Sequence, residues 1–183
     1  RMREALARLR KSAGLFGRDA LYDLPWYVII GPPGSGKTTA LVNSGLKFSM
    51  EKGKTPQAIA GVAGTRYCDW WFTDDAVLID TAGRYTTQDS DAKADGASWI
   101  SFLALLRKYR PSQPLNGVIV AISIADLVAL SAAQLAAHQE AIRKRLAELH
   151  EQLGIEFPVY VVLTKADLIA GFNLSVDRGD ATA

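Results

Sequence analysis

Near its start the chain reads Trp26-Tyr-Val-Ile-Ile-Gly-Pro-Pro-Gly-Ser-Gly-Lys-Thr38, so a hydrophobic strand runs directly into a glycine-rich loop. This order is typical of a phosphate-binding loop, whose backbone N–H groups converge on phosphate oxygens at the positive end of the next helix. A plain glycine turn is the alternative for the motif taken alone. Lys37 can reach the β- and γ-phosphates, and the Thr38 hydroxyl can ligate Mg²⁺. The loop residues expected to bind nucleotide are Gly31, Gly34, Ser35, Gly36, Lys37, Thr38 and Thr39.

A second motif, Asp80-Thr-Ala-Gly83, ends the hydrophobic run that begins at Ala76. A carboxylate at this strand end faces the Mg²⁺ held by Thr38, and the Gly83 N–H can bond the γ-phosphate. Taken alone, the pattern also fits a strand-end aspartate before an ordinary turn. Its position after the phosphate loop favours function. We therefore expect Asp80 and Gly83 to be catalytic together with Lys37, and Thr38 and Asp80 to ligate Mg²⁺.

A third motif, Thr164-Lys-Ala-Asp167, follows the last hydrophobic strand. An aspartate here accepts hydrogen bonds from guanine N1–H and the 2-amino group, whereas adenine has neither donor and would leave the carboxylate unpaired. The Lys165 stem can lie across the base. Guanine-binding sites most often have Asn at the position of Thr164, although Thr is an accepted variant. A solvated lysine and a helix-capping aspartate are the alternative. Together, the three motifs predict a nucleotide site in which Thr164, Lys165 and Asp167 bind the base.

Two further positions bear on Mg²⁺ and on hydrolysis. Thr65 is better placed than Thr55 to bind Mg²⁺ and the γ-phosphate through its backbone, because it stands just before the strand at 67–73. Arg84 follows Gly83, where Ras-like enzymes orient the attacking water with Gln.

An arginine at this position can neutralise charge in the transition state, but it cannot orient water as a glutamine does. Thr86, Thr87 and Gln88 are nearby substitutes. We therefore add Arg84 to the expected catalytic residues and expect hydrolysis to be slow or to require a partner.

Composition excludes several classes of protein. The 183 residues fit one domain, and 49% hydrophobic and 22% charged residues are ordinary for a soluble globular protein. A net charge of +2 does not support nucleic-acid binding. The basic residues within 1–11 fit either a solvated helix face or a segment beside anionic lipid. Cys68 is the one cysteine, which excludes an internal disulfide. No apolar run fits a transmembrane span, and the start on Arg1 indicates a piece of a longer protein.

Alternating strand and helix signals predict an α/β fold of the three-layer P-loop NTPase type, with a mixed Ras-like sheet that contains one antiparallel hairpin strand. The expected organisation is a basic N-terminal helix and linker at 1–20, the P-loop NTPase domain at 21–172 and a tail at 173–183. Strands are expected at 26–30, 67–73, 76–80, 118–122 and 157–163, and helices from the phosphate loop to Ser44, at 98–109 and at 131–153. Residues 47–66 and 84–97 are expected to be irregular and mobile.

The strand at 67–73 is expected at a sheet edge, with Cys68, Trp70 and Phe72 on one face and Tyr67, Asp69 and Trp71 on the other. One tryptophan is expected in the core; the other either covers a helix or contacts a partner. The helix at 131–153 is expected to be amphipathic and solvated, opened by a capping box of Ser131 and Gln134.

Four stretches resemble the cytoplasmic NTPase domain of the IcmF/TssM family. They are Leu21-Tyr-Asp-Leu-Pro-Trp-Tyr-Val-Ile-Ile-Gly-Pro-Pro-Gly-Ser-Gly-Lys-Thr-Thr39, Gly64-Thr-Arg-Tyr-Cys-Asp-Trp-Trp-Phe-Thr73, Val77-Leu-Ile-Asp-Thr-Ala-Gly-Arg-Tyr-Thr-Thr-Gln-Asp89 and Leu115-Asn-Gly-Val-Ile-Val-Ala121. The resemblance implies a protein anchored in the bacterial inner membrane, with this domain on the cytoplasmic face. It also implies partners in the membrane complex and baseplate of type VI secretion systems. After Phe172 the sequence no longer follows the family, and no fifth guanine motif or sixth strand is recognisable.

Two hypotheses follow. The first is a slow Mg²⁺-dependent NTPase that acts as a switch, with GTP favoured and ATP the alternative, because this phosphate loop is as typical of ATPases as of GTPases. The second is a scaffold that binds nucleotide as an assembly signal and hardly hydrolyses it. Arg84 favours the scaffold, whereas the intact set of Lys37, Thr38 and Asp80 favours the hydrolase, which we consider the better supported.

Overall fold

The computed structural model describes residues 22–48, 68–87 and 92–172. These contain one sheet of five strands in the order β2-β3-β1-β4-β5. The strands are β1 (Trp26–Ile30), β2 (Cys68–Phe72), β3 (Val77–Thr81), β4 (Gly117–Ser123) and β5 (Val159–Thr164). Several predictions lie outside the described residues: the N-terminal helix and linker, residues 49–66 of the loop expected at 47–66, Thr55, Thr65, Tyr67, Gln88 and the tail at 173–183.

The sheet is mixed in the way that the sequence predicts. Strand β1 pairs in parallel with β3 on one side and with β4 on the other, and β4 pairs in parallel with β5. Strand β2 pairs antiparallel with β3, which confirms the hairpin, and it forms one edge of the sheet. The carboxyl ends of the four parallel strands therefore meet at one edge, where α/β sheets bind their ligands.

Five helices are described: α1 (Lys37–Val42), α2 (Arg84–Thr87), α3 (Ala92–Tyr109), α4 (Ile124–Ala129) and α5 (Ala132–Leu153). A short 3₁₀ helix, Ala166–Leu168, follows β5. The capping box of Ser131 and Gln134 is present at the start of α5, which ends at Gly154 as expected. Among these helices, none combines the length and the apolar character that a membrane crossing requires.

Apolar side chains cover both faces of the sheet, which gives three layers. On one face, Trp26, Val28 and Ile30 of β1 pack in a core that includes residues of α3 and α5. On the other face, Ile29 packs in a smaller cluster with Leu41 of α1. The alternation along β1 sends successive side chains to opposite faces.

Both tryptophans of β2 are buried, so neither is available to a partner. Trp70 is 3% exposed and contacts the ring of Trp26 edge-on, with the centroids 5.3 Å apart. Trp71 is 5% exposed and packs on Phe48, also at 5.3 Å. The alternation along β2 is as predicted, but the possible partner contact is wrong.

One further prediction needs correction. The stretch 84–97 is predicted to be mobile, but α2 occupies Arg84–Thr87 and α3 already begins at Ala92. Polar contacts of Thr86 and of Arg84 with Asp95 stabilise both helices.

The helix α5 is amphipathic and mostly exposed, as predicted, with Arg145, Leu149 and Leu153 buried. Arg145 is the exception among its charged residues, because it is 2% exposed and pairs with Glu148 at 3.0 Å.

Candidate nucleotide-binding site

An open cavity of about 600 Å³ lies at the carboxyl edge of the sheet. Three segments that are distant in sequence build its wall: the loop between β1 and α1, the end of β3, and β5 with the turn that follows it. Its lining residues are Pro33, Gly34, Ser35, Gly36, Lys37, Thr38, Thr39, Ala40, Asn43, Thr81, Gly83, Val162, Leu163, Thr164, Lys165 and Asp167. The structure thus brings most of the predicted site residues together. Gly31, Asp80 and Arg84 are not part of the lining.

The loop after β1 takes a shape that depends on glycine. Gly34 and Gly36 have φ values of +73° and +80°, in the left-handed region that other residues rarely adopt. Gly36 also precedes the first turn of α1, where an added Cβ would lie 3.3 Å from the Cβ of Thr164. The loop therefore closes against the end of β5, with its backbone facing the cavity.

Lys37 is held inside this loop. Its Nζ donates to the carbonyl oxygens of Gly31 at 2.8 Å and of Pro32 at 3.0 Å, and contacts Ser35 Oγ at 3.4 Å. The residue is 7% exposed. Burial lowers the pKa of the ammonium, and the nearby Asp80 carboxylate opposes this only in part. A bound phosphate would supply the negative charge that this buried cation needs.

Thr38 and Asp80 meet between α1 and β3. The Thr38 hydroxyl donates to Asp80 Oδ2 at 2.5 Å, and Asp80 is fully buried. A hydroxyl and a carboxylate form the hard oxygen donor set that Mg²⁺ prefers. Asp69 lies directly across the β2–β3 ladder from Asp80 and is 4% exposed. The second carboxylate reinforces the negative charge, so the residues present fit a magnesium ion held by Thr38 and Asp80.

Asp69 was given no role by the sequence analysis. The alternation along β2 placed it on the same face as Trp71, but only the register of β2 against β3 sets it beside Asp80. That register could have been counted from the hairpin, since a two-residue turn fixes which residues face each other.

The third motif closes the cavity at the end of β5. The Thr164 hydroxyl donates to the Ser35 carbonyl at 2.6 Å, so the turn after β5 is fastened to the phosphate loop. Lys165 adopts a φ of +55°, and its Nζ lies 3.1 Å from Asp126 Oδ2. Asp167 is exposed in the cavity wall. Thr164 therefore links β5 to the phosphate loop, and Asp167 faces the cavity.

Asp126 is a second residue that the sequence analysis did not assign. It lies in the first turn of α4, and its backbone N–H donates to Ser123 Oγ at 3.2 Å. Hydrogen bonds with Ser123 and Lys165 hold the pKa of the Asp126 carboxyl below its usual value. The carboxylate stays charged near neutral pH and keeps the Lys165 ammonium at the rim of the cavity.

The segment after Gly83 is fixed to the phosphate loop. The Gly31 N–H donates to Thr86 Oγ1 at 3.1 Å, and Thr86 is 2% exposed. That buried bond gives Thr86 a structural role, so it does not replace the water-orienting glutamine. Arg84 turns towards α3, where its Nε lies 2.9 Å from Asp95 Oδ1. In this state Arg84 does not line the cavity, contrary to its expected place among the catalytic residues.

We expect Gly83→Ala to weaken nucleotide binding by about tenfold or more and to destabilise the fold by about 1–3 kcal/mol, as overpacking does. An added Cβ would lie 2.4 Å from Pro33 N and 2.5 Å from Pro33 Cα, so the backbone of the phosphate loop must move. Titration with a fluorescent nucleotide and thermal melting would measure both effects.

The control for this variant is Gly45→Ala, at a φ of +74° with open space around the added Cβ and outside the cavity. Backbone strain should lower its melting temperature without changing its nucleotide affinity. If Gly83→Ala bound nucleotide as the unaltered chain does, the close packing of Gly83 on the phosphate loop would not contribute to nucleotide binding.

Comparison with known proteins identifies the same family as the four sequence stretches that resemble it. Residues 92–182 match the IcmF-related N-terminal domain. This match extends past Phe172, so the expectation that the sequence leaves the family pattern there is wrong. The chain is also 60% identical, over 173 residues, to type VI secretion system component TssM1 of Pseudomonas aeruginosa strain PAO1. The aligned part is 94% of this chain and 16% of TssM1, so the chain spans about a sixth of that relative.

A solved structure shows the same fold. A chain of the signal recognition particle receptor SRb-GTP/SRX complex from Chaetomium thermophilum superposes with a TM-score of 0.50 at 18% identity. The superposition covers 87% of this chain and 81% of that one. This likeness supports the Ras-like mixed sheet. The match to the family model and the identity to TssM1 support the assignment of the chain to a family. The chain is a member of the IcmF/TssM family.

Proposed function

We propose that this domain binds a nucleoside triphosphate with Mg²⁺, with GTP preferred over ATP, and hydrolyses it slowly. The observation that carries the proposal is the convergence of three separate motifs on one cavity. The phosphate loop, Gly83 and the turn Thr164–Asp167 all line it. The phosphate loop is suited to bind the phosphates, the Gly83 N–H to bond the γ-phosphate, and the turn Thr164–Asp167 to bind the base.

The residues support distinct steps. Lys37 and the loop N–H groups would bind and orient the phosphates, which is the larger part of catalysis in phosphoryl transfer. Thr38 and Asp80 would hold Mg²⁺, which neutralises charge on the phosphates. Thr65 remains the proposed backbone ligand from the segment before β2. None of the groups described around Gly83 is placed as a water-orienting glutamine would be, so turnover is expected to be slow.

A second candidate function is a scaffold that binds nucleotide with negligible hydrolysis. The ion pair of Arg84 with Asp95 favours it, because a guanidinium held there does not reach a γ-phosphate. The two candidates share the binding site and differ only in turnover. A switch requires merely that the two nucleotide states differ in conformation.

For the whole protein, we propose a place at the cytoplasmic face of the bacterial inner membrane. The partners would be other subunits of the type VI secretion membrane complex and baseplate, with residues 21–172 as the NTPase domain. The identity to TssM1, a type VI secretion system component, supports this assignment. Nothing in the charge balance supports binding to nucleic acid.

The experiment that tests the proposed function is competition between slowly hydrolysed analogues of GTP and ATP for the 183-residue chain in the presence of Mg²⁺. The Lys37→Met variant serves as the blank. We expect specific binding with a clear preference for the GTP analogue.

Equal binding of the two analogues would mean that Thr164–Asp167 does not read the base and that the domain is an NTPase of broad specificity or an ATPase. Binding no tighter than that of Lys37→Met would refute the nucleotide site itself. Release of inorganic phosphate then separates the slow hydrolase from the scaffold.

A further inference from the structure

Arg84 stands one residue from the wall of the phosphate cavity. Gly83 lines that cavity, and its Cα packs so closely on Pro33 that an added Cβ would overlap the loop. The N–H of Thr86 then donates to the Gly83 carbonyl at 2.9 Å, which starts α2. A long side chain that leaves the backbone at this point can turn either back to the cavity or outward to α3.

In this structure the side chain turns outward. Arg84 Nε lies 2.9 Å from Asp95 Oδ1, and the guanidinium lies 5.5 Å from the centre of the Tyr85 ring. The Arg84 side chain is 32% exposed and that of Asp95 is 10% exposed. The cation is therefore held on the α3 side, with its charge matched by a carboxylate.

Asp95 depends on this contact. The residue lies in the first turn of α3, where the helix dipole favours a negative charge. Within the described part of the chain, its Oδ2 accepts no hydrogen bond, so the ion pair with Arg84 is the main compensation for burying the carboxylate. If the cation left, this carboxylate would be buried without a matching charge, which is costly.

A guanidinium that reaches the γ-phosphate stabilises the charge of the transition state in phosphoryl transfer, and its loss or gain changes turnover by large factors. We propose that Asp95 is a positioning residue that holds Arg84 away from the phosphate cavity and thereby keeps hydrolysis slow. Release of the ion pair lets Arg84 turn to the γ-phosphate and accelerates turnover. This inference rests on the proposed function of the site, since it concerns the regulation of the same reaction.

The test compares four forms of the 183-residue chain: unaltered, Asp95→Asn, the double variant Arg84→Ala/Asp95→Asn, and Asp74→Asn. Asparagine has the shape of aspartate without its charge, so the first variant leaves no uncompensated carboxylate behind. Asp74 lies exposed in the β2–β3 turn and controls for the loss of one negative charge. Thermal melting of each form establishes that it is folded, and Asp95→Ala replaces Asp95→Asn if the latter is not.

We expect Asp95→Asn to raise kcat by at least about fivefold, with KM changed less than about twofold, because Arg84 acts in the transition state and not in ground-state binding. The double variant should lose this gain, and Asp74→Asn should behave as the unaltered chain does. A merely structural ion pair predicts no gain, or a gain that persists in the double variant. Either result would overturn the proposal.

A second readout does not depend on measurable turnover by the unaltered chain. GDP with Mg²⁺ and aluminium fluoride imitates the transferring phosphoryl group. Asp95→Asn should bind this mixture at least about fivefold more tightly than the unaltered chain does, through Arg84, with its affinity for GDP alone unchanged. No gain in either readout refutes the role of Asp95 while leaving nucleotide binding intact. If the unaltered chain bound nucleotide no better than Lys37→Met, both the proposed function and this inference would fail.

Discussion

Replacing Lys37 by methionine is expected to weaken binding of Mg²⁺–GTP by roughly 100-fold or more, as the loss of one partner from a desolvated charge pair does. Lys37 is 7% exposed, and its ammonium lies among the carbonyls of the phosphate loop, where it would meet the β- and γ-phosphates of a bound nucleotide. Methionine has nearly the same length and fills the same space without the charge.

The same substitution should change the free energy of unfolding of the nucleotide-free chain by less than about 1 kcal/mol, because relief of the buried charge offsets the lost hydrogen bonds. The pKa of Lys37 lies below its ordinary value of 10.5, chiefly because of burial. Between that lowered pKa and 10.5, Lys37 is protonated in the unfolded chain but not in the folded one. The unaltered protein therefore gains stability as pH rises through this window. Any advantage of Lys37→Met over it therefore shrinks towards alkaline pH.

Isothermal titration with a GTP analogue and melting curves from neutral to alkaline pH measure both effects. Lys108→Met is the matched control, since Lys108 is exposed on α3 far from the loop and should affect neither property. A large fall in the melting temperature of Lys37→Met at neutral pH would show that Lys37 supports the fold rather than the ligand. Undiminished binding would remove the phosphate-loop assignment.

The positions of the three motifs could be predicted from the sequence because each depends on local order. A hydrophobic run ends, and the polar residues at its end come to the carboxyl edge of a parallel sheet. Nothing beyond chain order and strand alternation was needed to bring Lys37, Gly83 and Asp167 to one cavity. The capping box at the start of α5 is likewise a local pattern, and it is present.

The stretch 84–97 shows where this reasoning fails. Its polar composition indicates a mobile loop, but the polar groups are satisfied by residues far along the chain or on the next helix. Thr86 accepts from Gly31, and Arg84 pairs with Asp95. Periodicity counts apolar residues, so it misses a helix that is anchored by buried polar contacts.

Buried cations are a second kind of feature that could not be predicted from the sequence. Arg110 is 1% exposed and lies over the rings of Tyr22 and Trp26, at 4.9 Å and 4.7 Å from their centres. Burial lowers the pKa of its guanidinium to about 10. Arginine is ordinarily placed at the surface, and here the tertiary packing of aromatic rings and a hydrogen bond from Arg110 to Asn116 Oδ1 at 3.2 Å make burial acceptable.

Base selection is expected to change when Asp167 is replaced by asparagine: affinity for GTP should fall by roughly 100-fold, because a site built on hydrogen bonds rejects a ligand that leaves them unpaired. The aspartate offers two acceptors, which match the two donors of guanine at N1 and at the 2-amino group. Asparagine offers one acceptor and one donor. Its amide nitrogen would face the guanine amino group, and two donors would oppose each other.

Xanthine provides the matching ligand for this variant, since it keeps the N1–H donor and carries an oxygen in place of the 2-amino group. Asp167→Asn should therefore bind XTP more tightly than GTP, the reverse of the unaltered chain. Competition of XTP, GTP and ATP analogues against one fluorescent nucleotide measures the order of preference. Asp126→Asn is the matched control at the rim of the cavity: it loosens Lys165 from its partner at 3.1 Å but leaves the acceptors of Asp167 in place, so the preference for GTP should survive.

The two variants separate recognition of the base from the general electrostatics of the turn, because each removes one negative charge close to Lys165. If both shifted affinity for all three nucleotides alike, charge alone would account for the change, and the carboxylate of Asp167 would not read the base. If only Asp167→Asn exchanged GTP for XTP, the hydrogen-bond pattern would be the cause. Thr164 fastens this turn to the Ser35 carbonyl at 2.6 Å, and it would then position Asp167 relative to the phosphates.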